Sequence, residues 1–333
     1  MKKSLVALAV LAASGASFAQ SNVTLYGLAD IWLGSVKTTN GVTGNSVSTT
    51  RMDSGGVNTS RWGLKGSEDL GGGLKAIFKL EQGFSLDTGA ATAGQAFSRQ
   101  AYVGFAGGFG EVQLGKVWTA FDDVWGVSNA VFDSALSPTH YVFESINYQD
   151  RPSNGMRYTS PNFGGFSGAI SYSLDEKVAG AAKVSTFNVS YGAGPVTAYL
   201  GYQVEDVVIT VALPSDTKYM IVGGSFNFGM ATAKANYAQV KNVGNANGFD
   251  AKEYQLGVDF PVSSALTVSA SYAKSDDSNP GFEQSRKGYG IGATYTLSKR
   301  TFLYGGYTAN KFSNFRAGDD KADVYAVGVQ HNF

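Results

Sequence analysis

The sequence predicts an all-β fold: one 16-stranded antiparallel transmembrane β-barrel. Two patterns carry that reading. Segment after segment alternates apolar residues with small polar ones, the period of a strand whose two faces meet different solvents. The connections alternate as well, short turns with long, charged loops. Composition agrees, with 43 Gly, 18 Tyr and 21 Phe against seven Pro and no Cys. Aromatics favour strands, glycines let backbones turn tightly, and a chain without cysteine is not a disulfide-stapled secreted domain. The slightly negative mean hydropathy does not discriminate, because alternating strands dilute their own apolar signal.

The chain opens with a leader. Lys2 and Lys3, an apolar stretch over residues 5–13 and the small-x-small site Ser17-Phe18-Ala19 read as a signal peptide, residues 1–19, followed by a single domain, residues 20–333. The apolar stretch is well short of the ~20 residues that span a bilayer, and no later run approaches that length, so helical spans are excluded. Without Lys2 and Lys3 the net charge is about −2, with none of the clustered basic excess of a nucleic-acid binder.

The first strand is expected over residues 22–36. Further on, Phe166, Ile170, Tyr172 and Leu174 oppose Ser167, Ala169, Ser171 and Ser173. Tyr254, Leu256, Val258 and Phe260 oppose Glu253, Gln255, Gly257 and Asp259; Leu266, Val268, Ala270 and Tyr272 oppose Thr267, Ser269 and Ser271. Tyr289, Ile291, Ala293, Tyr295 and Leu297 oppose glycines and threonines, so in each case the polar face is also a small face. Short turns fall near 71–73, 106–110, 161–165, 192–195, 227–229, 261–265 and 298–299. Long loops fall near 38–57, 85–96, 118–150, 175–183, 206–216, 242–250, 275–286 and 312–321. Seven turns and eight loops make sixteen strands with both termini on one side, as in outer-membrane barrels.

The closing stretch "DVYAVGVQHNF" places Tyr325, Val327, Val329 and Phe333 on one face. Open strand edges do not survive in hydrocarbon, so this strand, residues 322–333, is expected to pair with the first. Sixteen strands belong to the size class that leaves an aqueous lumen. Tyr158, Tyr172, Tyr191, Tyr202, Tyr237 and Tyr272, near strand ends, suit aromatic girdles.

The stretches "NVTLYGLAD", "TSRWGLKGSEDLGGGLKAIFKLE", "RQAYVGF", "GGFGEVQLGK", "RPSNGMRYTSPNFGGFSGAISY", "LSKRTFLYGGY" and "VGVQHNF" together resemble the general porins of betaproteobacteria such as Burkholderia, Bordetella and Neisseria, over the whole mature chain and in order. The resemblance implies a homotrimer in the outer membrane of a Gram-negative bacterium, surrounded by lipid and lipopolysaccharide. It implies a general diffusion porin, passing small hydrophilic solutes and ions, with the long third loop folded into the lumen. It also makes Phe333 the terminal aromatic presented to the barrel assembly machinery.

The third loop, residues 118–150, carries Asp122, Asp123, Asp133 and Glu144, and a loop of that length is usually functional or disordered. It lacks the Pro-Glu-Phe-Gly tip of enteric porins, so the resemblance does not supply its internal geometry. Parity supplies the facing wall. Outward Trp62 and Leu64 turn Arg61 and Lys65 inward; outward Phe78 and Leu80 turn Lys75, Lys79 and Glu81 inward; outward Met156 and Tyr158 turn Arg151 and Arg157 inward. The resemblance separately matches Arg61, Arg99 and Arg151 to an arginine ladder opposite the third loop, although parity groups Arg99 with Val103 and Phe105. A basic wall against an acidic loop gives a transverse field, and arginine stays charged at any working pH. Ion selectivity is expected to be weak, and the resemblance alone leans it toward anions.

Other chemistries find little support. His140 and His331 are the only histidines, too few for a nucleophile, base and orienter or for a metal site, and no cofactor is expected. The glycines of "GYGIGATY" lie on alternating strand positions with no following helix, unlike a nucleotide loop. The serious alternatives are a substrate-preferring channel, for which the third loop offers Trp118, Phe121, Trp125, Phe132 and Phe143, and a surface adhesin.

Overall fold

The computed structural model describes residues 22–91, 94–178, 181–207, 216–278, 283–314 and 318–333. The expected signal peptide lies outside the described residues, as do parts of five of the expected long loops. The chain forms a closed antiparallel barrel in which seventeen strand segments fill sixteen positions. In order these are β1 (Asn22–Thr39), β2 (Ser46–Ser54), β3 (Arg61–Gly71), β4 (Leu74–Gly83), β5 (Gln100–Gly107) and β6 (Gly110–Lys116). After the long loop come β7 (Gly155–Thr159), β8 (Phe166–Ser173), β9 (Ala182–Ala193), β10 (Val196–Val207), β11 (Thr217–Asn227) and β12 (Thr232–Lys241). The last are β13 (Asp250–Pro261), β14 (Leu266–Ser278), β15 (Gln284–Ser298), β16 (Thr301–Asn314) and β17 (Gly318–Asn332).

Alternation decides the faces. In β13, Leu256 is 58% exposed on the outer side while its neighbours Glu253 and Gln255 are fully buried. Outward aromatics also meet across strands, Tyr254 with Tyr272 and Tyr272 with Tyr289, the cross-strand contact that fixes register on a lipid-facing surface. All seven expected short turns are present. In the first, Gly71, Gly72 and Gly73 all have positive φ, a conformation that a side chain would strain.

Closure follows the expected pairing. β1 and β17 run antiparallel from Leu28 opposite Asn332 to Thr39 opposite Lys321. Beyond the ladder, the Gly27 and Phe333 amides each donate to the other's carbonyl at 3.0 Å. The Phe333 ring lies where a Cβ on residue 27 would stand, so only glycine fits there.

Several strands run further than expected, and part of the 38–57 loop is strand β2. β2 pairs with the upper half of β1, Ile31 to Thr39, and β3 with the lower half, Asn22 to Leu28. The sequence of β2, SVSTTRMDS, is exposed or half-exposed on both faces, so it carries no contrast for period-two reading to detect. Asp276 and Asp277 likewise continue β14 into pairs with Ser285 and Gln284 of β15.

Between β2 and β3, residues 55–60 leave the wall. Asp30, inward on β1 and fully buried, accepts the amides of Gly56, Val57 and Asn58 at 2.9, 3.1 and 2.9 Å. The Tyr304 hydroxyl donates to the same carboxylate at 2.6 Å. Hydrogen bonds to a charged group contribute roughly 1.5–3 kcal/mol each, so one carboxylate fixes the whole excursion.

The loop between β6 and β7 has its own structure: α1 (Asp122–Trp125), a 3₁₀ turn (Val131–Asp133), α2 (Thr139–Val142) and a second 3₁₀ turn (Glu144–Asn147). Its backbone is tied to inward side chains: the amide of Phe121 donates to Thr186, of Val131 to Ser269, of Ser145 to Glu253 and of Gln149 to Glu205. Its apolar residues pack on the same inner face, Phe121, Val124 and Trp125 against Tyr199, Tyr219, Ile221 and Val240. Val131 and Leu136 pack against Trp32, Tyr304 and Val324. Here the inner face is not the polar surface expected of a wall that lines water, because loop rather than water covers it. Burying each large apolar side chain there contributes about 1.5–3 kcal/mol.

Candidate functional site

The small residues of the inner face make room for the loop. A Cβ on Gly201 would strike Val124, one on Gly257 would strike Ala130, and Gly288, Gly290 and Gly292 lie under Pro138, Leu136 and Val131. These are the glycines of "GYGIGATY", and their role is to let a loop backbone approach a strand backbone. The loop therefore lies against β8 to β17 and Trp32 of β1, and the wall left facing it is built by β3, β4 and the segments flanking β5 and β7.

That wall carries the expected basic residues. Arg61, at the start of β3, forms no ion pair among the described residues. Arg99 lies one residue before β5, outside the ladder, which is why parity misplaces it: its amide donates to the Glu81 carbonyl and its Nε to the Glu81 carboxylate at 2.9 Å. Burial, with Arg151 and then Arg61 nearby, lowers the Arg99 pKa to about 10, which leaves it charged. Arg151 pairs with Asp150 at 2.7 Å. Its guanidinium lies 4.2 Å from the Trp118 ring centre, and that of Arg99 lies 5.3 Å from the same ring.

The acids of the loop face these groups. Asp122 accepts the Tyr148 hydroxyl, and burial lifts its carboxyl to about 7, against that hydrogen bond. Asp123 pairs with Arg157, whose guanidinium also donates to the Trp118 and Thr119 carbonyls. Asp133 accepts from Asn129 at 2.8 Å and meets His140 at 3.0 Å. It ends a turn in which Val131, Phe132 and Asp133 all have positive φ, a strained conformation of the kind that persists only when surrounding contacts hold it.

Arg61, Arg99 and Arg151 share one cavity of about 580 Å³ with Asp122, Asp123 and Asp133. A second cavity of about 400 Å³ shares Arg61, Arg99 and Trp118 with the first and adds Lys79, Glu81, Tyr26 and Phe333. Lys79 pairs with Glu81 at 3.2 Å, and Lys65 stands over the Tyr26 ring at 5.2 Å, outside both cavities. Arg157 supports the loop rather than lining either space. Glu81, inward by parity, and Trp118, one of the loop aromatics, meet the arginines here, while Asp150, the partner of Arg151, carried no signal in the sequence. Of the loop aromatics, Phe121, Trp125 and Phe143 are buried in packing, so they do not form a continuous exposed track. His331 is exposed and bonded to Thr301.

The comparisons with known proteins agree with this fold. The family model described as Gram-negative porin matches residues 4–315. Outer membrane porin protein 32 of Delftia acidovorans is 36% identical, over 99% of this chain and 95% of its own. The solved structure of an anion-selective porin from Comamonas acidovorans superposes with a TM-score of 0.78 at 29% identity, covering 94% of this chain and all of its own. A trimer-form structure of OmpT from Vibrio cholerae shares the fold at 16% identity, with a TM-score of 0.69 over 94% of this chain and 99% of its own.

Proposed function

The chain belongs to the Gram-negative porin family, and on that premise we propose that the two cavities are the constricted part of its pore. The protein is an outer-membrane porin, a general diffusion channel with a transmembrane β-barrel. The third loop narrows the lumen, and small hydrophilic solutes and ions pass between its acids and the arginine wall. The observation that carries this reading is the single cavity shared by Arg61, Arg99 and Arg151 on one side and Asp122, Asp123 and Asp133 on the other. Charges of opposite sign across a narrow, low-dielectric passage orient dipolar solutes and handicap apolar ones.

Selectivity is weak and leans to anions. Around the cavities Arg99 is offset by Glu81, Arg151 by Asp150 and Arg157 by Asp123, while Arg61 has no ion-pair partner among the described residues, and the Comamonas relative is described as anion-selective. The working unit is a homotrimer, as the trimer-form relative suggests, embedded in lipid and lipopolysaccharide. It is exported by way of the signal peptide, residues 1–19, and inserted by the barrel assembly machinery through Phe333. Reversal potential in a salt gradient tests the site: charge reversal at Arg61 or Arg151 should move it toward cations, and an unchanged value removes that residue from the constriction.

A further inference from the structure

Between the pairs Ile31–Ser54 and Leu28–Arg61, β1 has two residues where the other chain segment has six, so four residues of the excursion at 55–60 are surplus to the ladder. The excursion enters the space between wall and loop. Val57, Asn58 and Thr59 line the same cavity as the arginines, and the Ala135 amide of the third loop donates to the Gly56 carbonyl at 2.7 Å. Val57 packs against the cluster of Val131, Leu136 and Tyr304, while Asn58 Nδ2 donates to Gln330 Oε1 at 2.8 Å. We infer that residues 55–60 form a second constriction loop, with Asp30 as the positioning residue that holds it and, through it, the third loop.

The geometry is specific. Asp30 is inward, wholly buried, and receives three consecutive amides and the Tyr304 hydroxyl, with no cationic partner among the described residues. Consecutive backbone amides turned toward one carboxylate form a nest, which exists only while the chain is bent around the anion. Ser54 and Ser60, at the two ends of the excursion, both donate to the Asp30 carbonyl at 3.3 and 3.0 Å. A Cβ on residue 56 would strike the Tyr304 hydroxyl, so a side chain there would displace the ring that bonds Asp30. The inference rests on the reading of the shared cavity as the constriction.

The chain has no cysteine, so single cysteines are clean probes in the full protein. In planar bilayers, a charged methanethiosulfonate reagent should lower the single-channel conductance of Asn58→Cys by roughly a third or more. The same reagent should leave Thr49→Cys, exposed on β2, unchanged. Asp30→Asn and the milder Tyr304→Phe should keep the barrel but raise conductance and open-channel noise, and Asp30→Glu should restore quiet current in part. An Asn58→Cys channel indifferent to the reagent overturns the inference, as does a Tyr304→Phe channel with wild-type conductance and noise. Arg151→Glu serves as control: if it shifts the reversal potential while Asn58→Cys stays silent, the constriction stands and only the second loop falls.

Discussion

The backbone amide of Ser145 donates to the Glu253 carboxylate at 3.2 Å, fastening the end of the third loop to the inward face of β13. Glu253 is fully buried, the Glu144 amide is a second donor, and Arg286 ties Glu144 to Asp277 beside it. Glu253→Gln keeps the volume but turns an NH₂ group toward amide donors, at a cost of about 1–3 kcal/mol. The variant should unfold at lower temperature and show noisier open-channel current. An unchanged thermal transition with quiet current would remove Glu253 from loop anchoring.

Arg61 and Arg99 should separate selectivity from stability. Neutralising either one removes a positive charge from the cavity, so Arg61→Gln and Arg99→Gln should both shift the reversal potential toward cations. Only Arg99 is bonded to the buried Glu81 carboxylate, so only Arg99→Gln should also destabilise the barrel, by about 1–3 kcal/mol. Equal thermal stability of the two variants would contradict this.

The Asp122 carboxyl, lifted to about 7 by burial, should make selectivity depend on pH. Above that value it is charged and opposes the arginines; below it the group is neutral, so anion preference should rise as pH falls through about 7. The folded chain holds this proton more tightly than the unfolded chain, so Asp122 lowers stability as pH climbs from about 4 to about 7. The charged and titratable groups around it are Tyr148, Asp123, Asp150 and Arg151. Reversal potentials between about pH 5 and 9 should therefore show a step that Asp122→Asn lacks. The same step in the variant would assign it elsewhere.

Phe333 completes the seam through its backbone pair with Gly27 and its ring. Deleting it should lower the amount of assembled trimer in the outer membrane, seen on unheated gels, while trimers that form conduct normally. Normal assembly with altered conductance would reverse the assignment.

Much of this was legible in the chain. Period two marks strands wherever one face meets lipid, so Tyr254 to Phe260 and Tyr325 to Val329 gave faces and closure directly. Where that contrast is missing the pattern is silent: Ser46–Ser54 is polar on both sides, and its break from Arg61 left no trace. Arg99 defied parity because it precedes its strand. The inward glycines at 288, 290 and 292 make a small face, but smallness has two causes, water or a backbone overhead, and period two does not tell them apart. The buried acceptors, Glu253 and Glu205 under the third loop and Asp30 under residues 55–60, were indistinguishable from charges that merely line water.

Conductance of the purified protein in a planar bilayer, under a salt gradient, tests the central claim most directly. An ohmic channel with discrete steps should appear, with a reversal potential displaced weakly toward anions and moved toward cations by Arg61→Glu. A folded preparation that adds no conductance, or a strongly cation-selective channel indifferent to Arg61→Glu, would contradict it.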